Sequence, residues 1–188
     1  LPDLQAATLE DVKTFYKQYY GASNASLVIA GDIDIAETKK LVKKWFGEIP
    51  SGPEVKPLNP KPVTLINNKS LYFEDNFAKL PELRMVYPTV ENYHKDSYAL
   101  SILGQLLSGS KKAPLYNVIV EEEKLAPNIS SYNNSSELAG EFVFRVRAYE
   151  NVDLDSVKVA INKGLERFEN NGVNEKDLKR IKAEQETN

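Results

Sequence analysis

The sequence contains no cysteine and a single histidine, His94. The first absence excludes a disulfide framework, a thiolate nucleophile and any cysteine-ligated zinc or iron–sulfur site. The second excludes a zincin-type helix, which needs two imidazoles one turn apart to reach one metal. A Ser-His-Asp arrangement would rest on His94 alone, and no G-x-S-x-G elbow accompanies it. His94 therefore reads as a surface or capping residue, just ahead of a helix that begins near Lys95. Long apolar runs are missing too, so no segment can span a bilayer. No basic stretch leading into an apolar one opens the chain, so no signal peptide is read there. The chain starts at Leu1 instead of Met, so removal of a leader or more is expected, and a periplasmic or otherwise exported location stays open. A basic excess is lacking as well. With 24 Lys and Arg against 27 Asp and Glu the net charge is −3, and no basic face emerges to neutralise phosphates, which argues against a nucleic-acid partner.

What is present is a chain of 188 residues, 41% hydrophobic and 27% charged, with the ordinary make-up of a globular protein. It is long enough for one large domain or two small ones. Thr8 opens a first helix with Asp11 in a capping-box position, and Leu9, Val12, Phe15, Tyr16 and Tyr19 fall on one stripe. The run "SLVIAGDID", residues 26–34, predicts an apolar strand and a Gly-Asp turn. Asp34 then caps a helix that buries Leu41, Val42, Trp45 and Phe46. One glycine and no G-K-[ST] leave this passage short of a phosphate loop, so a plain turn is the reading. From Gly47 to Pro62 the chain holds five of its ten prolines, which predicts an extended connector.

Beyond it the pattern predicts strands near 63–74 and a strand at 82–88. A helix over 95–107 follows, carrying Ala99, Ile102, Leu103 and Leu106, and then a helix over about 114–124 with Pro114 in its first turn. Strands "NISSYNN" and "EFVFRVRAY" come next. In the latter, Phe142, Phe144, Val146 and Ala148 alternate with Val143, Arg145, Arg147 and Tyr149. Two helices close the chain, one with Leu154, Val157, Ile161, Leu165 and Phe168 ending at Gly172, the other starting at Asn174 with Leu178 and Ile181. The fold class is α+β, an antiparallel-rich sheet with helices on one face. The first unit reads as partial, since two helices and one strand cannot cover a sheet's apolar face.

Two blocks, "LEDVKTFYKQYYGASNASLVIAGDID" with "KKLVKKWFGEIPSG", and "DSYALSILGQLLSGSKKAPLYNVIVEEEKLAPNISSY", resemble in wording and order the pitrilysin/insulinase family of zinc metallopeptidases, the inverzincins with the motif H-x-x-E-H. The resemblance covers nearly the whole chain and implies repeated α+β units that close like a clam shell around a peptide. Residues 1–50 would be the tail of a first, zinc-carrying unit and 51–62 a proline-rich linker. Residues 63–188 would be most of a second unit that lacks zinc. The zinc ligands and catalytic glutamate would lie upstream of Leu1, so no catalytic or metal residue is assigned in this chain, and zinc would belong to the parent protein.

Units of this family that grip substrate carry an Arg and, seven residues on, a Tyr, at places that correspond here to Val120 and Pro127. Valine cannot make charge-assisted bonds and proline has no hydroxyl. The bend Ser108-Gly109-Ser110-Lys111-Lys112, with Val120 and Pro127, is therefore expected to shape a substrate-chamber wall. The partners implied are a peptide or protein substrate through the parent enzyme, and the rest of the same polypeptide or a partner subunit.

Three acidic residues, Glu121 to Glu123, read as a solvated helix end, or alternatively as a patch favouring basic peptides. Arg145 and Arg147 could bind a peptide carboxylate, although cross-strand pairing with acidic neighbours is the plainer reading. Two other functions fit the same residues, a non-catalytic scaffold subunit of the same fold and a stand-alone module that binds peptides by strand addition.

Overall fold

A computed structural model describes residues 2–187. The chain divides into two compact units, one ending at Pro57 and the other beginning at Leu58.

In the first unit the helices follow from local signals. Helix α1 is Pro2–Ala6, α2 is Leu9–Tyr19 and α3 is Ile35–Phe46. The Thr8 hydroxyl accepts the Asp11 N–H at 3.2 Å while the Asp11 carboxylate accepts the Thr8 N–H at 2.8 Å, a reciprocal capping box. The Asp34 carboxylate accepts the Glu37 N–H at 2.7 Å at the start of α3. Its own carboxylate thus occupies the helix end that an anion would need. Near Gly21 the backbone runs so close to the proline-rich exit that a Cβ there would lie 2.4 Å from the Ser51 carbonyl oxygen. The Ser23 N–H and hydroxyl both donate to that same carbonyl.

Two expectations fail in this unit. Residues 26–34 form no β-ladder, and α3 buries none of its apolar residues. Phe15 is 57% exposed and Trp45 67%. The cause is shared: an apolar helix stripe is buried only by a surface laid against it, and a strand exists only where a neighbour takes its N–H and C=O groups. Local capping is enough to wind the helices, and nothing more is supplied among the described residues of this unit.

The second unit is built on a three-stranded antiparallel sheet of order β1-β3-β2, with β1 Glu82–Thr89, β2 Ser130–Ser135 and β3 Gly140–Arg147. The two-residue period sorts each strand into faces. Leu83, Met85 and Tyr87 pair with Val146, Phe144 and Phe142 on the inner face. The helices α4 Lys95–Ser108, α6 Leu154–Asn171 and α7 Glu175–Thr187 belong to this unit. Leu107 of α4 and Val157 and Ile161 of α6 share one buried cluster with Phe142, Phe144 and Val146. Burying each large side chain contributes roughly 1.5–3 kcal/mol. Gly104 permits the close approach of α4 to β2, since a Cβ there would sit 2.7 Å from the Ser131 carbonyl oxygen. On α4, Ala99 is exposed, and Leu100, Leu103 and Leu107 face the core.

The expected α-helix over 114–124 is instead a short α-turn, α5 Pro114–Tyr116, continued by a π-helical segment Asn117–Glu122. There the Glu123 N–H donates to the Val118 carbonyl five residues back, at 2.9 Å. Leu115, Val118 and Ile119 are fully buried. The wider turn is compatible with their burial and leaves the glutamates outside. Residues 63–74, expected as strands, run without a ladder partner among the described residues.

Candidate functional site

The bend singled out by the sequence joins α4 to α5. Ser108 is the last residue of α4, and its hydroxyl accepts the Ser131 N–H at 2.8 Å, tying the helix end to β2. The buried Ser131 hydroxyl donates to the Gly104 carbonyl at 2.9 Å. Gly109 caps α4 with φ −74°, and its N–H donates to the Gln105 carbonyl at 2.8 Å. Ser110 closes the turn by accepting the Ala113 N–H at 3.0 Å. Lys111 and Lys112 are exposed. Val120 lies in the π segment, half-buried and packed against the apolar core, and Pro127 is exposed in the loop before β2. Thus five of the seven residues share one turn, while Val120 and Pro127 sit in two later segments.

Two of the three residues of the acidic run, Glu122 and Glu123, are paired with basic side chains. The Arg167 guanidinium on α6 meets the Glu122 carboxylate with two bonds, at 2.7 and 2.9 Å. Lys163, one turn earlier, lies 3.6 Å from Glu122 and pairs with Glu123. The bond from Arg167, helped by the nearby Lys163, holds the Glu122 carboxyl below the usual carboxylate range. The exit of the π segment and the first turns of α6 border a shallow cleft of about 430 Å³, lined by Glu123, Asp155, Val159 and Lys163 among others.

The outer face of the sheet carries a second cluster of charge, Glu82, Arg84, Arg145 and Arg147. Glu82 takes Arg145 through two bonds, at 2.9 and 3.0 Å, and Arg147 at 3.0 and 3.2 Å. The Arg145 bond is the main reason the Glu82 carboxyl lies below its usual range. Arg145 and Arg147 are therefore paired across the strands rather than free for a ligand. Arg84, which the sequence did not single out, faces Arg145 directly in the register of β1 and β3. Its guanidinium reaches across β3 to the Tyr132 hydroxyl on β2, at 3.4 Å. Val143 lies opposite both Val86 and Tyr132 on this face and is fully buried, although the alternation points it outward. The signal that could have found Arg84 is the same alternation, which groups Glu82, Arg84 and Val86. Register was the missing information.

His94 is the N-cap of α4, and its Nδ1 accepts the Asp96 N–H at 3.2 Å. Among the described residues no group of three or more His, Asp or Glu converges as a cation site would require. One histidine and no cysteine among the described residues do not fit a zinc centre.

Comparison with known proteins identifies the family of the chain. The chain is 25% identical over 187 residues to the zinc protease PqqE of Helicobacter pylori, covering 98% of this chain and 42% of that protein. It is 24% identical to the uncharacterized zinc protease YmxG of Bacillus subtilis, covering 93% of this chain and 41% of that protein. It thus spans less than half the length of these curated relatives. A protease from H. pylori superposes with a TM-score of 0.76 at 24% identity, covering 99% of this chain and 46% of that one. A peptidase M16 inactive domain from Pseudomonas fluorescens gives 0.73 at 19%, covering 96% and 43%. The first half of the periplasmic protease PqqL from Escherichia coli gives 0.64 at 19%, covering 100% and 41%. The family model for the peptidase M16 inactive domain matches residues 6–185, and the chain belongs to that family.

Proposed function

We propose that this chain is the non-catalytic portion of a zinc-dependent endopeptidase and forms part of the wall of a peptide-binding chamber. The observation that carries the reading is the family match across residues 6–185. It comes together with a donor set of one histidine and no cysteine. In this reading zinc and the glutamate that activates water belong to another unit of the parent protein. That unit polarises the scissile carbonyl, and this chain supplies shape and orientation.

Residues up to 50 belong to the unit that precedes the proline-rich stretch 51–62, and residues 63–188 to the inactive unit. The bend Ser108-Gly109-Ser110-Lys111-Lys112, with Val120 and Pro127, contributes to the wall. Because Val120 packs on the core and Pro127 lacks a donor, neither grips a substrate carbonyl. No helix among the described residues is long and apolar enough to cross a membrane. The E. coli neighbour is described as periplasmic, which supports an exported location.

Deleting residues 63–188 from the parent enzyme tests the proposal. The truncated enzyme is expected to keep stoichiometric zinc and lose peptide cleavage. Unimpaired cleavage would contradict the chamber role.

A further inference from the structure

The outer face of the sheet is laid out in transverse rows. Arg84, Arg145 and Ser130 form one, Val86, Val143 and Tyr132 the next, and Pro88, Glu141 and Asn134 the third. The rows are two residues apart along each strand, so roughly 6.6–6.8 Å separates them.

The first row is electrostatically incomplete. Arg84 and Arg145 are cross-strand neighbours, like charges that disfavour the sheet unless an anion compensates each, and the anion at hand, Glu82, serves Arg145. Glu82 is committed to Arg145 and Arg147. Arg84 donates to the Tyr132 hydroxyl at 3.4 Å. A guanidinium offers five N–H donors in a planar fork that matches a carboxylate, so most of this donor capacity faces solvent. Beside it the middle row offers an apolar surface, with Val86 44% and Tyr132 36% exposed.

We propose that this face binds an extended acidic peptide. A carboxylate is held by Arg84 and the Tyr132 hydroxyl, and an apolar side chain two residues away lies on Val86 and the Tyr132 ring. The spacing follows from matched strand geometry, since side chains i and i+2 of an extended peptide fall on one face. The partner's charge follows from complementarity to Arg84, whose guanidinium meets the Tyr132 hydroxyl and no carboxylate among the described residues. The peptide lies on the face and does not add a strand at an edge, so its recognition rests on side chains. The site goes beyond the chamber reading and requires neither zinc nor cleavage.

The test uses the 188-residue chain and a fluorescein-labelled extended peptide with aspartate and leucine at positions i and i+2, read by anisotropy. Binding is expected, with a loss of about tenfold or more for the asparagine peptide and for Arg84→Gln. Tyr132→Phe is expected to lose less. Moving the leucine to i+1 is expected to weaken binding as well. Far-UV circular dichroism and melting temperature establish that the variants fold. Absence of binding by the folded wild type, or equal binding of the asparagine peptide, would overturn the proposal. So would an Arg84→Gln chain that binds as well as the wild type. Self-association that Arg84→Gln abolishes, without peptide binding, would assign the face to a second copy and overturn it too.

Discussion

Glu82 shows how one carboxylate sets the electrostatics of a surface. It sits at the start of β1 and accepts four bonds from two arginines of β3. Its carboxyl lies below the usual range, chiefly through the Arg145 bond. A depressed folded value means that the ionised group stabilises the fold above the pKa of the unfolded chain. That stabilisation is lost as pH falls through the folded value. Glu82→Gln is therefore expected to lower the melting temperature at neutral pH, and the gap to wild type is expected to close in acid. Thermal melts of both proteins across the carboxylate range check this, and a gap that widens in acid would contradict it. The cross-strand pairing of Arg145 and Arg147 was legible in the sequence, whereas Arg84 was not. Knowing that a residue points outward says nothing about which residue stands opposite, and register is a tertiary fact.

At the scale of elements, helix caps were the most legible feature. Thr8, Asp34 and His94, each read as a capping candidate, cap the helices that follow them, and Asp153, which the sequence reading did not name, caps α6. Thr8→Ala is expected to cost about 1 kcal/mol of the helix it starts, read as faster amide exchange in α2. Helix α6 ends at Gly172 with φ +67°, where a glycine meets no steric penalty.

The π segment was not legible. Six residues are too few for an apolar pattern to separate an α-turn from a π-turn, and the choice between them depends on the packed neighbours. Glu122 and Glu123 are consecutive, and the segment presents both to Lys163 on α6. Lys163 and Arg167 both reach Glu122, being one turn apart on that helix. Glu122→Gln removes the bidentate partner of Arg167, so the Glu123 and Leu125 amides are expected to exchange faster in deuterium while β3 amides keep their protection. Unchanged exchange at both amides would show that buried Val118 and Ile119 hold the turn unaided. Ile161→Ala, which opens a hole in the core of α6, is expected to cost about 2–5 kcal/mol by urea unfolding.

At the scale of the whole molecule, the α+β class and the family were legible because they rest on the order of elements, which local wording carries. The expected strands over 26–34 and 63–74 were read from composition, and neither has a ladder partner among the described residues. The apolar stripes of α2 and α3 were visible for the same reason, yet remain exposed. Composition proposes a buried surface, and only a second surface completes it.

The functional reading depends on a simpler inventory. One imidazole, used as a helix cap, with Glu82 and Glu122 paired to arginine, and no convergent group of three or more His, Asp or Glu among the described residues, leave no donor set suited to a catalytic metal there. The most direct measurement is the zinc content of the purified 188-residue chain after dialysis, with peptide hydrolysis followed in parallel. The account predicts no stoichiometric zinc and no cleavage. Retained zinc at one per chain, or cleavage that a chelator abolishes, would contradict it.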